Sequence, residues 1–170
     1  MVKHKEQRVG IFVDVQNLYH SAKNLYKARV NFKELIKHLV ANRKLIRSVA
    51  YVVRAEAADA ASSEAAFFDA LKQAGLELRM KDLQIYPGGM KKADWDVGLA
   101  VDAIRMASFL DAVILVTGDG DFIPLVDYVK WGLGRTVEVA AFSRTASARM
   151  KEEADEFIAI EEIPRVLIRK

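Results

Sequence analysis

The sequence predicts an α/β protein of three layers, a mainly parallel central sheet covered by helices on both faces. Short apolar runs alternate with stretches of helical period from one end of the chain to the other, the pattern of repeated strand–helix units. Several of these runs, Val9-Gly-Ile-Phe-Val13 among them, are apolar at consecutive positions and suit strands buried on both faces. The chain has 170 residues, of which 52% are hydrophobic and 29% charged. That length and balance fit one soluble domain over residues 1–170, with 161–170 as a C-terminal tail.

Taken in order, residues 9–13 form the first strand and close on Asp14. Leu18, Ala22, Leu25 and Tyr26 then recur at helical spacing. Asn31 is placed to cap a second helix, whose Phe32, Leu35, Ile36, Leu39 and Val40 make one apolar stripe. Residues 48–53 are a second strand. Residues 59–75 read as an alanine-rich helix that turns Phe67, Leu71 and Ala74 inward and stops at Gly75. Residues 76–85 are a third strand, followed by a Pro87-Gly-Gly89 loop. Residues 94–108 form a helix with Val97, Val101 and Ile104 on its core face. The fourth strand spans 111–117, and a helix follows over 122–131 with Pro124 tolerated in its first turn. A fifth strand at 136–142, a helix at 145–154 and a short sixth strand at 157–160 complete the pattern. The apolar tail at 163–168 suits docking on the body or on a second subunit, which leaves a homodimer open.

Composition excludes several chemistries. With no cysteine in the sequence, disulfides, thiolate catalysis and cysteine-bound zinc are ruled out. No apolar run approaches the roughly 18 residues of a membrane span. The charged N-terminus has no signal-peptide core, so a cytoplasmic address is expected. The net charge of +3 is unevenly spread. Lys and Arg dominate up to Arg47, and acids dominate from Glu152 to Glu162. Such a basic excess attracts polyanions, or it is simply a solvated helix surface.

The chemistry-bearing residues are acids at strand ends. Open parallel sheets place their sites beyond the carboxyl ends of the strands. Asp14 follows the first strand directly in Asp14-Val-Gln-Asn17, and Asp119 and Asp121 follow the fourth in Thr117-Gly-Asp-Gly-Asp-Phe122. Gly118 and Gly120 are expected to let that backbone turn tightly. Asp94-Trp-Asp96 opens the helix just before that strand. Two unit charges about 4 Å apart repel by roughly 4 kcal/mol at an effective dielectric near 20, so converging carboxylates call for a cation. Hard oxygen ligands without Cys or a placed His favour Mg²⁺ or Mn²⁺. The bland alternative makes Asp94, Asp119 and Asp121 helix caps. Asp14 is expected to resist that reading, because it closes a buried strand.

Three blocks, Phe12-Val-Asp-Val-Gln-Asn17, Asp94-Trp-Asp-Val-Gly-Leu-Ala-Val-Asp-Ala103 and Leu115-Val-Thr-Gly-Asp-Gly-Asp-Phe-Ile-Pro-Leu125, resemble in order the signature blocks of NYN domains. The similarity is to the LabA-like branch of the PIN-like ribonuclease superfamily. It implies a PIN-like sheet of order 3-2-1-4-5 and a Mg²⁺ or Mn²⁺ site that hydrolyses RNA phosphodiesters to a 5′-phosphate and a 3′-hydroxyl. It also implies that Asp14, Asp96, Asp119 and Asp121 stand at the family's acidic positions, with Asn17 at its Asn position. Lys92-Ala-Asp-Trp-Asp-Val97 departs from the usual Lys-Gly-x-Asp-Val by offering two acids. Asp96 fits the register, Asp94 lies about 200° round the helix from it, and Asp102 is expected to hold an Arg or a helix end rather than a metal.

Lesser signals stay two-sided. Asn17 orients the attacking water or a ligand carboxylate, or caps the first helix. Thr117 bonds Asp14 or a phosphate, or is structural. Lys91, Lys92, Arg79 and Lys81 hold an RNA backbone, single-stranded in the expected case, or merely keep the surface soluble. Tyr19, Tyr26, Tyr86 and Trp95 stack bases or pack. A haloacid-dehalogenase-type phosphatase would also use Gly118-Asp-Gly120. It needs acids where Gln16 and Ile123 stand. The remaining alternative to a nuclease is a non-catalytic RNA-binding or regulatory module that keeps the metal pocket.

Overall fold

The structure, a computed structural model, describes residues 2–54, 61–89, 91–92 and 94–169. The elements run β1 (Arg8–Asp14), α1 (Val15–Tyr26), β2 (Ala28–Val30), α2 (Phe32–Val40), β3 (Lys44–Arg54), α3 (Ala61–Gln73) and β4 (Glu77–Asp82). They continue β5 (Gln84–Ile85), β6 (Lys91–Lys92), α4 (Asp96–Ala107), β7 (Ala112–Val116), α5 (Ile123–Asp127), β8 (Thr136–Ala141), α6 (Ala148–Glu153), β9 (Glu156–Ala159) and β10 (Leu167–Arg169).

Six strands form one sheet in the order β4-β3-β1-β7-β8-β9, and each neighbouring pair is parallel. Counted along the chain, this is 3-2-1-4-5 with a sixth strand added at the edge. Side chains alternate across β1. Val9, Ile11 and Val13 meet Leu18, Leu35 and Leu71 of the first three helices on one face, while Phe12 meets Leu99, Ala103, Val126 and Met150 on the other. Burial on both faces is why the strand reads as an unbroken apolar run. The chain fills one side of β1 through β3 and β4, then returns to lay β7 on the other. The β1–β7 boundary is therefore the switch point beyond which such sheets bind ligands. Among the described residues no helix is long and apolar enough to cross a membrane.

Three expectations need correction, and one lies partly outside the described residues. The strand expected over 76–85 breaks at Leu83 into β4 and β5, and β5 pairs antiparallel with β6 in a hairpin across the Pro87 loop. The helix expected from Asp59 is described from Ala61 on, and Asp59 lies outside the described residues. The expected helix at 145–154 is shorter, because Ser143 to Ser147 lie in a loop before α6. The core face of α4 is Leu99, Ala103, Met106 and Ala107; Val97, Val101 and Ile104 face outward. Two apolar stripes of equal period run along α4, and tertiary contact alone decides which is buried. Asn31 caps α2, accepting the Glu34 N–H at 3.3 Å. The tail docks on its own body: β10 pairs antiparallel with β2, a strand too short to be anticipated.

Near the start of the strands, described charges are paired, one pair buried and one at the surface. Glu138 of β8 is 0% exposed, and its carboxylate accepts two bonds from the Arg43 guanidinium at 2.6 and 3.0 Å. Asp111, just before β7, takes the Arg8 side chain and the Arg8 backbone N–H. Those hydrogen bonds hold its carboxyl down at about 2.

Candidate active site

At the other end of the strands the acids have no such partners among the described residues. β1 delivers Asp14 to the lip of the sheet, where its carboxylate accepts the Asn17 N–H at 3.3 Å and the Thr117 hydroxyl at 3.0 Å. Asp14 therefore does cap α1, contrary to the expectation that it resists that role, and one oxygen remains shared with the β7 end. Burial pushes its carboxyl up, the two hydrogen bonds oppose the shift, and Asp119 and Asp94 reinforce it.

The loop after β7 is fastened at each residue. Thr117 Oγ1 accepts the Asp119 N–H at 3.2 Å, Asn17 Oδ1 accepts the Gly118 N–H at 3.1 Å, and Asp119 Oδ1 accepts the Asp121 N–H at 2.9 Å. Neither Gly118 nor Gly120 has a positive φ, so the tight-turn explanation for these glycines is wrong. Close packing replaces it: a Cβ at Gly118 would lie 3.0 Å from the Ala146 backbone. The Ser147 N–H also donates to the Gly118 carbonyl at 3.0 Å. The loop before α6 thus presses the acidic turn against the sheet.

Asp96 enters as the first residue of α4. Asp96, Asp119 and Asp121 each place a carboxylate oxygen within 4.8 Å of the other two. Burial, then Asp94, Asp14, Asp119 and Asp121, push the Asp96 carboxyl up to about 6. Asp94 is exposed and accepts the Asp96 N–H at 3.2 Å, closing the start of the helix. The structure thus brings Asp96, Asp119 and Asp121 together, with Asp14 one hydrogen-bonded residue behind. Among the described residues no Lys or Arg forms a salt bridge to any of the four. An all-carboxylate set at this spacing matches the donors of Mg²⁺ and Mn²⁺. Lys91 and Lys92 lie on β6, opposite Ile85 and Gln84.

A neighbouring network was only partly legible. Asp102 is 2% exposed and accepts the Tyr51 hydroxyl at 2.8 Å, the Arg105 guanidinium at 2.8 Å and the Arg79 guanidinium. It holds arginines, as expected, but from within the core face of α4. Trp95 donates its indole N–H to the Val52 carbonyl at 2.9 Å, and the Arg79 and Lys81 cations sit 5.3 and 4.4 Å from its ring. The ring folds back so closely that a Cβ at Gly98 would come within 2.5 Å of it. Trp95, the residue before Asp96, is thereby clamped.

A family model described as the NYN domain matches residues 8–161. No curated protein matches the sequence. Among solved structures, a protein of unknown function from Vibrio parahaemolyticus is similar at 29% identity and a TM-score of 0.87, over 99% of this chain and 100% of its own. MurG of Acinetobacter baumannii is a weaker match at 13% identity and a TM-score of 0.45, over 90% of this chain and 45% of its own, too distant to carry anything over. With sheet order, acidic lip and family match in agreement, the chain belongs to the NYN domain family, within the PIN-like nucleases.

Proposed function

We propose that this chain is a divalent-metal-dependent ribonuclease of the LabA-like branch, hydrolysing phosphodiesters of single-stranded RNA to 5′-phosphate and 3′-hydroxyl ends. The observation that carries the reading is the meeting of the Asp96, Asp119 and Asp121 carboxylates within 4.8 Å with no salt bridge to them among the described residues. Asp96, Asp119 and Asp121 would hold Mg²⁺ or Mn²⁺, with Asp14 beside them. Such an ion supplies a Lewis acid that lowers the pKa of a water and offsets charge on the phosphoryl group. The protein's own groups fix the geometry. Thr117 bridges the Asp14 carboxylate and the Asp119 N–H, so the ends of β1 and β7 are tied together. Asn17 ties α1 to Gly118 through its carbonyl oxygen, which leaves its amide nitrogen as a donor for a water or a phosphate. Arg79 and Lys81, with Lys91 and Lys92 on the hairpin, supply positive charge for the RNA backbone.

Asp14→Asn tests the reading. The substitution is nearly isosteric and keeps an oxygen to cap α1, so fold and RNA binding should survive. Losing a metal-side carboxylate should cut hydrolysis of single-stranded RNA in Mn²⁺ by roughly a hundredfold or more, with RNA affinity changed only a few-fold. Equal degradation by wild type and variant, purified side by side, would sink the nuclease reading. If both bind RNA and neither degrades it, the chain is a binding module.

A further inference from the structure

The outward face of α4 is apolar without an internal partner. Val97 is 75% and Val101 47% exposed. With Ile104 they form one wall of an open groove of about 380 Å³, and Pro124, Leu125 and Tyr128 form the other. The groove ends at Asp96 and Asp121, two of the three clustered acids. Among the described residues no Lys or Arg lines it. The opposite flank of α4 is the reverse: Arg79, Lys81 and Arg105 gather there around Trp95 and Asp102.

From this we infer that the groove is a base-binding subsite, taking one unpaired nucleobase of an RNA whose backbone lies at the acids. The inference rests on reading the acid cluster as an RNA site. A nucleotide has two unlike parts, and the two flanks of α4 match them. The phosphate needs cations, which the described lining of the groove lacks and the Arg79 flank has. The base is uncharged, tolerates neighbouring carboxylates, and offers a flat face to aliphatic and tyrosine side chains whatever its identity. Because Asp96 and Asp121 belong to groove and cluster alike, a strand held at the acids has a base within reach of the groove. A second copy of the chain seated in the groove would instead cover both acids.

The test is binding of a fluorescein-labelled single-stranded octaribonucleotide and of an abasic ribose–phosphate strand of equal length, with Ca²⁺ in place of Mn²⁺ so that the strand survives. Val101→Gln should weaken the octamer roughly tenfold and leave both the abasic strand and the salt slope unchanged. Val97→Gln, at a more exposed site, should weaken it in the same direction and guards against a misfolded first variant. Equal loss on both strands, or no loss on either, overturns the subsite. So does sedimentation showing a wild-type dimer that Val101→Gln dissolves. Failure here is separable from failure of the nuclease reading. Wild type that prefers the octamer but leaves it intact in Mn²⁺ upholds the groove and removes the nuclease. Wild type and Val101→Gln that bind and cleave alike do the reverse.

Discussion

The two ends of the sheet treat carboxylates in opposite ways. Where the strands begin, Glu138 is sealed against Arg43, Asp111 takes Arg8, and Glu77 takes Arg47 at 2.8 Å. Where the central strands end, Asp14, Asp96, Asp119 and Asp121 crowd together with hydrogen-bond donors but no salt bridge among the described residues. The contrast shows in their protonation. Asp111 is held down at about 2, while Asp96 is pushed up to about 6. Negative charge gathered and left unmatched is a cost to the folded chain. It makes sense where a cation from outside completes it.

The largest effect should come from breaking a pair at the sealed end. Arg43→Met leaves the Glu138 carboxylate fully buried, with Lys3 at 3.9 Å its one remaining ion-pair partner among the described residues. Denaturant unfolding should show a loss of about 3–5 kcal/mol, and adding Glu138→Gln should restore part of it. At the open end the sign reverses. Asp119→Asn keeps an oxygen for the Asp121 N–H and removes one of the crowded charges. The metal-free variant should be as stable as wild type or more so, by about 1 kcal/mol, and Mn²⁺ should raise its melting temperature less than that of wild type. A metal-free Asp119→Asn protein less stable than wild type would show that the cluster is structural, and the comparison would fail.

pH sharpens the contrast with a smaller effect. A carboxyl raised from 3.8 to about 6 in the folded state favours folding when protonated, so its contribution is present below about pH 4 and lost between 4 and 6. Asp111, lowered to about 2, contributes above about pH 4, and that contribution is lost as pH falls toward 2. Binding a metal must displace the Asp96 proton. Mn²⁺ affinity, followed by calorimetry, should therefore fall about tenfold per unit below pH 6 and level off above it. An affinity constant between pH 5 and 7 would take Asp96 out of the site.

Much of this was legible in the sequence because strand ends and buried strands leave plain marks. The run from Val9 to Val13 could be continuous only if both faces were covered, and the acids that follow it and the 112–116 strand fall at one lip. What was not legible depends on distant partners. Asp102 sits on the core face of α4 only because Tyr51 and Arg79, from other strands, reach it. Val97, Val101 and Ile104 share the period of the true core stripe and so passed for it. Gly118 is explained by Ala146, 28 positions on, and local turn chemistry points elsewhere. β2 and β10 are three residues each, below what periodicity can resolve.

The central claim is that the open end of the sheet is completed by a divalent cation. A crystal of the protein soaked in Mn²⁺, with anomalous data collected at the manganese edge, addresses it most directly. The account predicts a peak coordinated by Asp96, Asp119 and Asp121, with Asp14 in the same shell or one water away. A map with no peak there at a concentration that raises the melting temperature, or with manganese bound elsewhere while the four acids stay apart from it, would contradict the account.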